Sequence, residues 1–126
     1  MILLYVEQMM SETGVWVTFV RCAWFMQNWA GVVATASLQG VLPSFLTPLE
    51  RQIPMVSTAD IGRVCAEAML EDWTGKRIKE LRGEDVSPND VAAAFATAIK
   101  RDVQAVETPR DHWKNNKIAV QFTKKR

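Results

Sequence analysis

Apolar and polar positions alternate along this chain with two periods, and the clearest helical run is Val56 to Leu70. There Ile61, Val64, Cys65, Ala68 and Met69 fall at i, i+3, i+4, i+7 and i+8, whereas Arg63, Glu67 and Glu71 lie off that stripe. Ser57 predicts the N-cap, and Asp60, three places on, predicts a carboxylate reaching back to open backbone donors. Gln52 to Val56 is apolar and broken by Pro54, which predicts an extended segment feeding the helix, with the proline at an edge. A second helix is marked by Ser87 at the cap, Pro88 at the first helical position and Asp90 at the third. Its expected stripe is Val91, Ala94, Phe95, Ala98 and Ile99, with Lys100 and Arg101 in the last turn, where the dipole favours cations.

The remaining segments obey the same logic. Leu3, Leu4, Val6, Met9 and Met10 predict a helix over Met1 to Glu12, closed by Gly14. Val15 to Val20 is β-branched and aromatic throughout, which predicts a strand covered on both faces. Trp24 to Ala36 reads as a helix stopped by Gly40, and Val41 to Glu50 as a loop with two prolines. Asp72 to Gly75 is a turn signal, and Lys76 to Leu81 reads as a strand nearer a sheet edge. Val103 to Val106 is a short extended piece, and Pro109 opens a turn or short helix. Helices alternating with strands in this way predict an α/β fold with parallel pairing.

Composition changes little. The chain has 126 residues, 48% of them hydrophobic and 23% charged, which is one domain's worth of ordinary globular usage. A formal net charge of +1 supplies no one-sign field, so neither nucleic acid nor an anionic membrane is expected as a partner. Cys22 to Leu49 lacks any charged residue, but Gln27, Asn28, Gln39, Pro43 and Pro48 interrupt it and no aromatic belt frames it, so a buried segment is expected rather than a membrane span. Cys22 and Cys65 have no framework spacing and no signal peptide precedes them, so a reduced, cytoplasmic setting is expected. The only histidine is His112, and every glycine is isolated, so neither a His-rich metal site nor a phosphate-cradling loop is written into the sequence.

An ordered set of segments carries a resemblance. Arg21-Cys22-Ala23-Trp24-Phe25-Met26-Gln27-Asn28, then I-P-M-V-S-T-A-D-I-G-R-V from Ile53, E-L-R-G from Glu80, S-P-N-D-V-A-A-A-F from Ser87 and V-E-T-P-R-D-H-W from Val106 together resemble the NmrA-like group of NAD(P)-binding proteins, within the atypical and extended short-chain dehydrogenases. The resemblance implies the C-terminal half of a Rossmann-like fold with a small substrate-side subdomain, lacking the N-terminal glycine-rich βαβ unit. It implies a partial domain over residues 1–113 and a divergent basic tail over 114–126. It also implies NAD(P) as the cofactor of the full-length protein, with none bound by this chain alone.

The same resemblance implies site residues. The family has a strand ending in Arg-Pro before a loop that approaches nicotinamide and substrate; Arg21 matches, and Cys22 stands where proline is expected. Arg21, Cys22 and Ala23 are therefore the expected cofactor contacts, and Trp24, Phe25, Met26 and Asn28 the expected substrate contacts. Catalysis in similar reductases uses a Tyr-x-x-x-Lys pair, because a nearby ammonium lowers the phenol's pKa; Tyr5 is followed four places later by Met9, so no catalytic residue is expected. Three functions stand as expectations: the substrate-side half of an NAD(P)H-dependent oxidoreductase for a small quinone- or azo-type molecule, a non-catalytic NADP-linked redox sensor, or a truncated product that is inactive alone and self-associates through an exposed sheet edge.

Overall fold

The computed structural model describes residues 2–115, and expectations placed on residues 116–126 lie outside the described residues. In chain order the elements are α1 (Ile2–Glu12), β1 (Val17–Cys22), β2 (Trp24–Phe25), a 3-10 helix (Met26–Val32), α2 (Val33–Gln39), β3 (Val41–Ser44), β4 (Ile53–Val56), α3 (Thr58–Leu70), β5 (Lys76–Leu81), β6 (Asp85–Val86), α4 (Pro88–Ile99), β7 (Gln104–Glu107) and a second 3-10 helix (Arg110–Asn115). The strand pairs β1–β5, β2–β4 and β3–β7 are all parallel, as an α/β alternation requires. None of the helices among the described residues is long and apolar enough to cross a membrane. The chain divides into two compact units, Met1–Met26 with Pro54–Glu84, and Gln27–Ile53 with Asp85–Arg126.

The first unit is built on β1 and β5, in register from Val17 opposite Lys76 to Cys22 opposite Leu81. Gly14 turns the chain out of α1 at φ 73°, a conformation glycine adopts without a Cβ penalty. Side chains alternate across the ribbon. On one face Arg21 makes a two-pronged ion pair with Glu7 of α1 at 3.0 and 2.8 Å, and the Lys76 ammonium lies 5.7 Å from the centre of the Phe19 ring. On the other face Arg77 bonds Thr18 at 2.8 Å and the Ala68 carbonyl at 3.1 Å, pairs with Glu71 and lies 4.5 Å from the Trp73 ring centre. Lys79 joins Glu71 at 2.6 Å, so two cations hold that carboxyl below the ordinary carboxylate range, the hydrogen bond from Lys79 leading.

Coverage of this unit is thinner than the sequence predicts. Val17 to Cys22 are all half-buried, and Trp16, expected inside the strand, is 61% exposed. The reason is that β1 has one strand neighbour, β5, among the described residues, so the apolar faces outrun the layers laid on them. On α3 the stripe holds for Ala68, which is buried, and fails for Met69, which is 80% exposed in the last turn. Ser57 caps α3 as expected, accepting from the Ala59 N–H at 3.1 Å, but Asp60 turns outward to Arg63 instead of closing the box. Between β4 and the turn after β5 the chain approaches itself closely: Gly83 donates to the Met55 carbonyl at 2.9 Å, and a Cβ at Gly83 would sit 2.5 Å from that oxygen.

The second unit holds a denser core. Leu42 and Ala36 are fully buried, and Trp29, Val32, Val91, Ala92 and Val103 are nearly so. Val41 to Ser44, expected as loop, is a strand that pairs with β7 from Val41 opposite Gln104 to Ser44 opposite Glu107. Pro43 is tolerated because the ladder to β7 runs through its neighbours, with the Gly40 and Ser44 carbonyls accepting from Gln104 and Thr108, so position 43 faces away and needs no N–H. Trp24 to Ala36 is not one helix: its first residues extend as β2, and a 3-10 turn precedes α2. The α4 cap forms as read, a reciprocal Ser87–Asp90 box, with the Asp90 carboxylate also taking a bond from Gln52 at 2.9 Å. Of the expected stripe Val91 is buried and Phe95 and Ile99 are half-buried, joined by buried Ala92 and half-buried Ala96, whereas Ala94 and Ala98 are exposed. The helix ends at Ile99, with Lys100 as a left-handed C-cap.

Candidate functional site

The sequence-expected residues fall along the carboxyl end of β1, the side of a parallel sheet where α/β folds place ligands. Arg21 and Cys22 close the strand, and alternation sends them to opposite faces. The Arg21 guanidinium is occupied by Glu7 and reaches Glu80 at 3.6 Å; its pKa is raised, and that of Glu7 lowered, first by their shared hydrogen bond. The Cys22 thiol is pushed up by burial and by the neighbouring Cys65, which makes it a poor nucleophile. Ala23 donates its N–H to the Leu81 carbonyl at 2.9 Å. Trp24 and Phe25 continue as β2, paired with Met55 and Val56. Phe25 is 40% exposed and Met26 36%, so of the expected substrate contacts these two present apolar side chains to solvent. Asn28 belongs to the second unit, within the 3-10 helix, so the structure does not gather all seven residues into one unit.

No seat for a dinucleotide pyrophosphate is built from the described residues. Such a seat needs a glycine-rich turn whose bare backbone meets phosphate at a helix N-terminus. Here Gly14 and Gly75 stand singly in open turns, and the space a Cβ would take at Gly83 is filled by the Met55 carbonyl. Among the described residues no group of three or more His, Cys, Asp or Glu side chains is placed to hold a metal ion.

A cleft that sequence reading missed lies in the second unit. It encloses about 410 Å³ and is lined by Thr47, Glu107, Thr108, Pro109, Arg110 and Trp113. Its position is set by β3 and β7 running parallel: Thr108 leaves the sheet by donating its N–H to Ser44 at 2.8 Å, and the chain then turns through Pro109 into the 3-10 helix. Trp113 is fixed there, its indole N–H donating to the Thr108 carbonyl at 2.9 Å and its ring standing edge-on to Phe45 at 5.7 Å. The Arg110 guanidinium lies 5.8 Å from the centre of the Trp113 ring. The V-E-T-P-R-D-H-W segment contained the signal, since a short strand ending in Thr-Pro places the next residues at a sheet's carboxyl end.

A model of the NmrA-like family matches residues 4–125. The chain belongs to the NmrA-like family. Among solved structures, this NmrA-like chain is similar to a nucleoside-diphosphate-sugar epimerase from Staphylococcus aureus, with a TM-score of 0.72 at 20% identity. At that identity the likeness carries the fold, which is Rossmann-like with parallel strands. The match covers 88% of this chain and 39% of the epimerase chain, so the NmrA-like chain spans well under half of that structure's length. No curated protein matches it. Membership places it in a family whose full-length proteins bind NAD(P).

Proposed function

We propose that this chain supplies the substrate-side part of an NAD(P)H-dependent oxidoreductase for a small quinone- or azo-type molecule, and that the isolated chain transfers no hydride. The observation that carries the reading is the carboxyl end of β1, where a parallel strand of a Rossmann-like fold runs directly into exposed Phe25 and Met26. Flat apolar substrates match side chains of that kind, and the absent pyrophosphate seat supports silence of the chain alone. Titration with NADPH, followed by nicotinamide fluorescence, is expected to give no saturable enhancement; tight saturable binding would overturn the reading. Addition in trans of a glycine-rich nucleotide-binding half is expected to restore quinone-dependent NADPH oxidation.

A second reading, a non-catalytic NADP-linked redox sensor, draws support from Tyr5. It is 63% exposed on α1, and Met9 stands four places on where a Tyr-x-x-x-Lys pair needs its lysine. The chain is also proposed to self-associate through an exposed sheet edge of the first unit, where β1 has one strand neighbour among the described residues and Trp16, just before it, is 61% exposed. Sedimentation should report a dimer that Trp16→Lys weakens; a monomer at all concentrations would dismiss this interface.

A further inference from the structure

We infer that the cleft at the carboxyl ends of β3 and β7 binds a small hydroxylated monoanion, a 2-hydroxy acid in its simplest form, with the anionic oxygens on Arg110 and the hydroxyl donating toward Glu107. The inference rests on the substrate-side reading only for its biological role; the binding itself needs no nicotinamide.

Three features of the cleft select that chemistry. The first is a pair of opposite charges that do not neutralise each other: Arg110 and Glu107 line the same space, yet neither makes an ion pair among the described residues. A guanidinium presents a planar fork suited to a carboxylate, and a carboxylate accepts from a hydroxyl, so one small molecule bearing both groups answers both residues. The second is Thr108, which lines the cleft and whose buried hydroxyl oxygen has no hydrogen-bond partner among the described residues. A buried polar atom in that state is costly, and a ligand hydroxyl or a water carried in with it removes the cost. The third is the rigid wall. Trp113 is held from two sides, by its bond to Thr108 and by Phe45, and offers a flat apolar surface to the carbon skeleton of the ligand.

The charges also set what the cleft rejects. A dianion such as sulfate, which has no hydroxyl to donate, meets Glu107 as well as Arg110, and like charges in a recess repel. A neutral diol leaves the guanidinium without its strongest partner. The volume of about 410 Å³ lies in the range of small-molecule sites.

The test uses the full chain labelled with 15N at its tryptophan indoles. Titration with 2-hydroxybutyrate is expected to shift the Trp113 indole resonance saturably, that resonance being assigned by its loss in Trp113→Phe. Arg110→Gln is expected to weaken binding roughly tenfold or more, and Glu107→Gln to narrow the preference for 2-hydroxybutyrate over butyrate. Unmoved resonances of the other four tryptophans report that each variant is folded. Absence of a saturable shift, equal affinity in Arg110→Gln, or equal binding of sulfate or ethylene glycol overturns the inference. Because NADPH is left out, failure here leaves the oxidoreductase reading standing, and failure of NADPH-linked turnover leaves this one standing.

Discussion

The two units are each organised on a parallel strand pair, and the unit with the longer strands has the thinner core. β1 and β5 are six-residue strands, yet every residue of β1 is only half-buried. β3 and β7 are four-residue strands, yet Leu42 and Ser44 on β3 are completely buried. Ladder length therefore does not set burial. Layers laid over both faces do, and in the second unit α2 and α4 bring Ala36, Val91 and Ala92 onto a short sheet. In the first unit the cations Arg21, Arg77 and Lys79 occupy positions on the ribbon, and their partners are carboxylates at helix ends and faces.

The strongest way to break this comparison is to cut into the denser unit. Leu42→Ala removes a fully buried side chain and is expected to cost about 2–5 kcal/mol, whereas Leu3→Ala on exposed α1 should stay within about 0.5 kcal/mol. Urea denaturation of the two variants measures both, and equal losses would erase the contrast. A smaller effect should separate the two caps. Ser87 is 2% exposed and reciprocated by Asp90, whereas Ser57 has no returning carboxylate; Ser87→Ala is expected to cost about 1 kcal/mol and Ser57→Ala less.

The smallest effect is a pH dependence, and it sharpens the electrostatic side of the comparison. Glu71 titrates below its ordinary range when folded, so on acidification the unfolded chain takes up the proton first. The stability it contributes is present above the ordinary carboxylate range and is lost as pH falls through that range and below. Glu71→Gln should flatten the acid limb of a stability profile followed by circular dichroism. An unchanged limb would show that the exposed Lys79 and Arg77 pairs are screened to insignificance.

Sequence reading succeeded where local chemistry decides structure and failed where neighbours do. Ser87, Pro88 and Asp90 announced α4 because capping residues act on backbone groups a few positions away. Gly14 and Gly40 announced helix ends for the same reason. Asp60 was misassigned because Arg63, one turn along, competes for its carboxylate. Val41 to Ser44 was missed because Pro43 signals a loop unless the hydrogen-bonding side of the strand is known, and that side is set by Gln104, far along the chain. The expected site was legible as a strand end, since Arg21 to Met26 do follow β1. The cleft around Arg110 and Trp113 was not, because it exists only once β3 and β7 lie side by side.

Arg101 stands just beyond α4 and donates to the Ser37 and Leu38 carbonyls at 2.6 and 3.0 Å, at the end of α2. Next to it Gly40 lies so near Asp102 that a Cβ would come within 2.8 Å of the Asp102 carbonyl. β3 and β7 thus depart from one clasp, and a residue inserted on either approach would shift one strand against its mate by a full step. Variation in length is left to the opposite end, where Phe45 onward and Thr108 onward can be rebuilt without disturbing the alignment. A scaffold tied at its base and open at its rim is one on which new ligand specificities can be selected cheaply.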